Sequence, residues 1–160
     1  MLHRLRLVVW PLLALLLSAA ATAAQPGSVP SVVVRVVDGD TIHVRVDGRL
    51  ERVRYIGINT PELHHPARGA EPGGQEAREV NRELVDGQPA RLELDAQRRD
   101  RHGRLLAYVW VRGVMVNAEL VRRGYAQVMT VPPNVRYQEL FLTLQREARQ
   151  SGRGLWGGAS

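Results

Sequence analysis

Two acidic residues share one tight turn in this chain, Asp38-Gly39-Asp40-Thr41. Two further segments follow it, Arg54 leading into Asn59-Thr60-Pro61-Glu62, and Asp100-Arg101-His102-Gly103-Arg104. Carboxylates this close repel one another unless a cation or a basic group lies between them, and an oxygen donor set suits calcium or magnesium. Glu62 stands behind the rigid Thr60-Pro61 step, a placement that suits aiming a carboxylate. Facing a hard cation, it could take a proton from water and direct that water at phosphorus. A phosphodiester is already an anion, so the attack needs positive charge to cancel the repulsion. Arg54 and Arg104, converging from different strands, could supply it and could stabilise the extra charge of a pentacoordinate transition state. Together the three segments look like metal-assisted phosphodiester hydrolysis.

Each segment also has a plainer reading. Asp-Gly between valine-rich runs is a hairpin signal, Glu62 could be an exposed surface acid, and Arg49, Arg52 and Arg54 read as a solvated basic stripe on one face of a strand. His64-His65-Pro66 resembles a metal pair only superficially, because neighbouring side chains in extended backbone point apart. His43 and His102 read as structural or substrate-flanking residues, which leaves a zinc hydrolase the least favoured enzyme. Asp40 and Glu62 could form a glycosidase pair, but a neutral glycan offers the arginines no charge to neutralise.

These residues need elements to position them. Val32 to Val37, Thr41 to Val46 and Leu50 to Ile58 are β-rich runs, separated by Asp38-Gly39 and Asp47-Gly48 as hairpin turns. Pro61 to Gly74 reads as a surface loop. A helix follows from Gln75 to Val85, with Ala77, Val80, Leu84 and Val85 on its buried face. Strands at Ala90 to Leu94 and Leu105 to Val111 flank the polar stretch Gln97 to Gly103. Asn117 is placed to cap a short helix ending at Gly124, and Tyr137, Leu140, Phe141, Leu144 and Ala148 form the apolar stripe of a last helix. Trp156 is expected to tuck the tail back onto the domain. Three strands, a helix and two strands is the order of a five-stranded OB-fold Greek-key barrel, an α+β and mainly β architecture with about three helices.

Composition bounds the setting. His3, Arg4 and Arg6 precede an apolar run from Leu7 to Leu17, and Ser18 to Ala24 ends in an Ala-x-Ala exit, so residues 1–24 read as a secretory signal peptide. The run is short and broken by Pro11, which makes an uncleaved anchor the lesser alternative. Residues 25–31 read as a linker and 32–157 as one domain, exported to a periplasm or secreted, with no membrane association once mature. About 135 residues can bury roughly two-thirds of their unfolded surface unaided. They must, because the chain has no cysteine, which also removes zinc-thiolate sites and thiol nucleophiles. The formal net charge is +6, and all 22 basic side chains are arginine, whose planar fork suits bidentate phosphate contact. Genomic base composition explains the absence of lysine equally well.

From about Val32 through Trp156 the chain resembles the staphylococcal nuclease (thermonuclease) family. The matching segments are Val36-Val37-Asp38-Gly39-Asp40-Thr41, Arg54 through Glu62, Asp100 to Tyr108, Met115 to Gly124 and Gly154-Leu155-Trp156. The resemblance implies an OB-type barrel with helices and calcium-dependent cleavage of DNA and RNA to products ending in 3'-phosphate. It implies calcium held by Asp40, Asn59 and the Thr60 backbone carbonyl, with Asp38 in support. Glu62 is implied as the general base, and Arg54 and Arg104 as ligands of the scissile phosphate in a monomeric enzyme without a stable protein partner. Asn59 departs from the family's aspartate at that position, which removes one formal charge from the cation site. Met129 to Pro133 departs too, replacing tyrosines that stack on the base. The competing expectation is a non-hydrolytic OB module that binds nucleic acid with a degenerate metal site.

Overall fold

The computed structural model describes residues 27–63 and 69–158. The expected signal peptide and the His64-His65 pair lie outside the described residues.

Five strands close a mixed barrel: β1 (Ser28–Asp38), β2 (Thr41–Val46), β3 (Arg49–Tyr55), β5 (Pro89–Glu93) and β6 (Leu105–Val111). β1 is long enough to pair twice, its first half with β5 and its second half with β2, both antiparallel. A bulge between Val33 and Arg35 turns Val34 and Arg35 outward while Val33 and Val36 stay in the core. β3 and β6 pair in parallel and complete the closure, with Val53 opposite Leu105 and Arg54 opposite Leu106. A short β7 (Val114–Met115) extends β6.

Two sequence expectations shift at strand ends. β1 starts at Ser28, so the last residues of the expected linker are already paired strand. The run expected as one strand from Leu50 to Ile58 is two, because Gly57 adopts φ +80 and its missing Cβ leaves room for the Phe141 ring, which an added Cβ would meet at 2.7 Å. Beyond that bend, β4 (Ile58–Asn59) pairs with β8 (Gln127–Val128) in a separate two-stranded sheet.

The helices cover the barrel. α1 (Gly74–Val85) lays Ala77, Asn81 and Val85 against β1, and α2 (Val116–Arg122) lies between the barrel and α3 (Gln138–Gln150). Asn117 is not a cap. It sits inside α2, fully buried, where its Oδ1 accepts the Val109 N–H and its Nδ2 donates to the Ile56 carbonyl, both at 2.9 Å. On α3, Phe141 and Ala148 are buried as expected, whereas Leu140 is exposed. Residue 140 turns past the edge of the contact, because α3 meets the fold along a stripe narrower than the apolar pattern. Trp156 returns to α3, lying 4.3 Å beneath the Arg149 guanidinium.

Candidate functional site

The β1–β2 turn, the end of β3 and the short β4 bring Asp40, Arg54, Asn59 and Thr60 together. Asp40 is only 5 % exposed, and both of its carboxylate oxygens are engaged. Oδ2 accepts the Thr60 N–H at 2.9 Å and lies 3.0 Å from Arg54 Nη2, while Oδ1 accepts the Thr41 hydroxyl at 3.0 Å. The turn between Asp38 and Thr41 is made by Gly39 and Asp40, not by Asp38 and Gly39. Gly39 does not take positive φ; what it supplies is room, since an added Cβ would stand 2.7 Å from Thr60 Oγ1. Without that room the Thr60 main chain could not reach the Asp40 carboxylate.

Arg54 is buried with its partner, at 9 % exposed. Its Nη1 donates to the carbonyls of Tyr55 and Ile58 at 2.9 Å, and its Nη2 donates to Asn59 Oδ1 at 3.0 Å as well as pairing with Asp40. One guanidinium nitrogen therefore bridges two of the oxygens expected to hold a cation. The expected basic stripe is corrected here: Arg49 and Arg52 are exposed, while Arg54 alone is folded under Ile58 and Asn59. Alternation could not put Arg49 on the face of Arg52 and Arg54, because an odd interval separates them.

Asp38 supports the turn from behind. Its carboxylate accepts the Asp40 N–H at 3.3 Å, and its carbonyl accepts from Asn81 Nδ2 on α1 at 3.0 Å. Asn81 in turn accepts the Tyr55 hydroxyl at 2.8 Å, so α1 is tied to both sides of the site. Burial first, and the Asp40 charge second, push the Asp38 carboxyl up to about 6.

Arg104 approaches from the other side. The Asp100 carboxylate organises the turn around itself: Oδ1 accepts the N–H groups of His102 and Arg104, and Oδ2 accepts Arg104 Nε at 2.6 Å. Burial acts to raise this carboxyl, but the hydrogen bonds from Arg104 prevail and hold it below the ordinary carboxylate range. Arg54 and Arg104 line one cavity of about 200 Å³, closed by Asp100, Met129, Val131 and Asn134. The far wall is pinned by a reciprocal pair: Asn134 Oδ1 accepts the Gln97 N–H at 2.7 Å and Asn134 Nδ2 donates to the Gln97 carbonyl at 2.8 Å.

Asp40 and Glu62 do not line that cavity. Glu62 is exposed, and its main chain is fixed by Glu71, whose Oε2 accepts the Glu62 N–H at 3.0 Å and whose own N–H donates to the Glu62 carbonyl at 2.8 Å. Gly74 at the start of α1 presses on the same segment, since an added Cβ would stand 3.1 Å from the carbonyls of Pro61 and Glu62. The side chains and carbonyl available for a cation are oxygen donors, which fit a hard divalent ion. They bring one carboxylate charge, and the described residues hold no group of three or more His, Cys, Asp or Glu that could bind a metal.

Sequence reasoning passed over Asp100, Asn81 and Asn134 as working parts of the site. Only Asp100 carried a one-dimensional signal, its spacing of four from Arg104 across a glycine turn.

Comparison with known proteins gives a consistent result. A family model described as staphylococcal nuclease homologue matches residues 52–158. The thermonuclease of Staphylococcus hyicus is 40 % identical over 124 residues, covering 78 % of this chain and 73 % of that protein. Endonuclease YncB of Bacillus subtilis is 40 % identical over 124 residues, covering 76 % of this chain and 59 % of that protein. The SPbeta prophage-derived endonuclease YokF of the same organism is 42 % identical, with 76 % of this chain and 42 % of its own length covered.

Proposed function

Because the chain belongs to the staphylococcal nuclease family, we propose that it is an exported, monomeric, calcium-dependent nuclease that hydrolyses phosphodiester bonds of DNA and RNA. The observation that carries this reading is the meeting of Arg54 and Arg104 at one cavity, with Arg54 joined to Asp40 and Asn59 on its other side. Two guanidinium groups, one from β3 and one from the turn before β6, can grip a single phosphate and offset the charge that builds in the transition state. Asp40, Asn59 and the Thr60 carbonyl would hold calcium, which when bound supplies further positive charge beside the phosphate.

Glu62 acts as the general base. Its carboxylate takes a proton from water as the water oxygen bonds to phosphorus and the bond from phosphorus to the 5'-oxygen breaks; solvent protonates the leaving oxygen, giving a 3'-phosphate and a 5'-hydroxyl. The rigid Pro61 step and the Glu71 hydrogen bonds hold the Glu62 main chain, while its exposed side chain stays free to meet substrate.

One observation favours a second reading, a nucleic-acid-binding module without hydrolysis: Asn59 leaves the cation a single carboxylate, and Arg54 already occupies that carboxylate. Digestion of single-stranded DNA and of RNA by the chain without residues 1–24, across a calcium titration with a chelator control, separates the two. Cleavage that needs calcium and is lost in Glu62→Gln supports the nuclease with its proposed base. Binding without cleavage at any calcium or manganese concentration supports the module.

A further inference from the structure

Arg104 is the end of a cationic row that crosses four neighbouring strands. The parallel register sets Leu105 beside Val53, so the residue before it, Arg104, comes beside Arg52 at the mouth of β6. Arg52 pairs with His43 on β2, and His43 pairs with Arg35 on β1. Directly paired residues share a face, and strands lie roughly 5 Å apart, so the row from Arg104 to Arg35 spans about 15 Å.

The face is open, and beyond Arg104, which Asp100 partners, its charge is uncompensated among the described residues. Arg35 and Arg52 are exposed, and among the described residues neither guanidinium has a hydrogen bond or ion pair. Glu51, next to Arg52 in the chain, pairs in register with the fully buried Val44 and so points to the other face, where it binds Arg99. Partial burial, and then the charges of Arg52 and Arg35, hold the His43 imidazole below its ordinary pKa, as expected beside unneutralised cations. Several arginines elsewhere in the fold are spent on acids, Arg99 on Glu51, Arg122 on Glu119 and Arg136 on Glu93. Arg35 and Arg52 are not, and Arg104 at the end of the row is paired with Asp100.

We propose that Arg35, His43 and Arg52 form a track for the single strand of nucleic acid on one side of the cleaved bond, holding phosphates beyond the one gripped by Arg54 and Arg104. This rests on the nuclease reading for its substrate. Charge complementarity selects the occupant: a flexible polyanion with regularly spaced phosphates can meet guanidinium groups one strand-width apart at Arg104 and Arg52 and two at Arg52 and Arg35, and the imidazole between the latter pair offers a hydrogen bond or a stacking surface. The row begins at a residue of the cavity, so a strand lying along it leads directly from the phosphate site.

The test uses the chain without residues 1–24, a fluorescent single-stranded DNA 12-mer in chelator, and the double variants Arg35→Ala/Arg52→Ala and Arg35→Lys/Arg52→Lys. Each single-strand phosphate contact contributes about 0.7 to the slope of log affinity against log salt. The alanine pair is expected to weaken binding about tenfold and to lower the salt slope by roughly 1.4, with the lysine pair restoring most of both. In calcium, its kcat/KM should fall about tenfold more on the 12-mer than on a dinucleotide diester too short to reach the row. Wild-type affinity and salt slope in the alanine pair would overturn the track whether or not the protein cleaves. Loss of binding in that pair, in a protein that cleaves nothing, would sustain the track and reject the hydrolytic reading instead.

Discussion

Arg54 and Arg104 face one cavity but are held in opposite ways. Arg54 is buried, and four acceptors from three segments, the Asp40 carboxylate, the Tyr55 and Ile58 carbonyls and the Asn59 amide, fix its guanidinium. Arg104 is half-buried at the end of a polar turn and leans on one carboxylate four residues away. The first is a structural joint between the barrel and the β4 segment, and any catalytic duty is added to that. The second is positioned locally and can be removed without opening the fold. On the proposed mechanism, the loss of one phosphate ligand is therefore felt everywhere and the loss of the other only by substrate.

The largest effect should come from Arg54→Ala. Activity should fall by at least 10²-fold, and unfolding in urea should show a loss of about 3 kcal/mol or more, because Asp40 is left as a buried charge without its partner. A variant that loses activity and keeps wild-type stability would break the contrast.

Arg104→Ala should lose activity on a similar scale, about 10²–10³-fold, at a stability cost under about 1 kcal/mol, since its ion pair with Asp100 is partly solvated. Steady-state kinetics beside a urea melt reads both quantities on one sample.

Asp100→Asn keeps the acceptor for the turn's N–H groups and removes the charge that aims Arg104. Activity should fall about tenfold, through misplacement rather than loss of the cation. Asn59→Asp alters the other side of the site, adding a carboxylate to the proposed cation ligands; calorimetry should show calcium binding more tightly, and an unchanged constant would put residue 59 outside the ligand set.

The smallest effect is a pH signature. The folded-state Asp100 carboxyl lies below its ordinary value of 3.8, so its pair with Arg104 stabilises the fold fully above that value and loses the contribution as pH falls through the lower, folded-state pKa. The small difference in melting temperature between wild type and Asp100→Asn should therefore hold from neutral pH to about 4, fade below it and be gone once the pH is under the folded-state pKa.

The two arginines also mark how far sequence reading reached. Arg104 lies within a segment that organises itself: an Asp, a glycine turn and an Arg at spacing four can be read in one dimension, although the value of Asp100 was missed. Arg54 could be named as a candidate but not understood, because its partners come from the β1–β2 turn, β3 and β4 and meet only when the barrel closes. Asn117 illustrates the same limit. A cap signal is local, whereas the backbone groups it satisfies belong to Ile56 and Val109, on other strands.

Sequence alone determined the order of the five barrel strands and the three helices, the Asp47-Gly48 hairpin with its two positive φ values, the absence of thiol chemistry and the excess of arginine. These follow from residue periodicity, turn chemistry and composition, which are properties of neighbours in the chain. Tertiary structure decided that Gly57 would split a strand and carry Asn59 to Arg54, that Gly39 would make room for Thr60, and that Arg35, His43, Arg52 and Arg104 would line up across four strands. Strand register and burial are relations between distant segments, and they exist only once the barrel has closed.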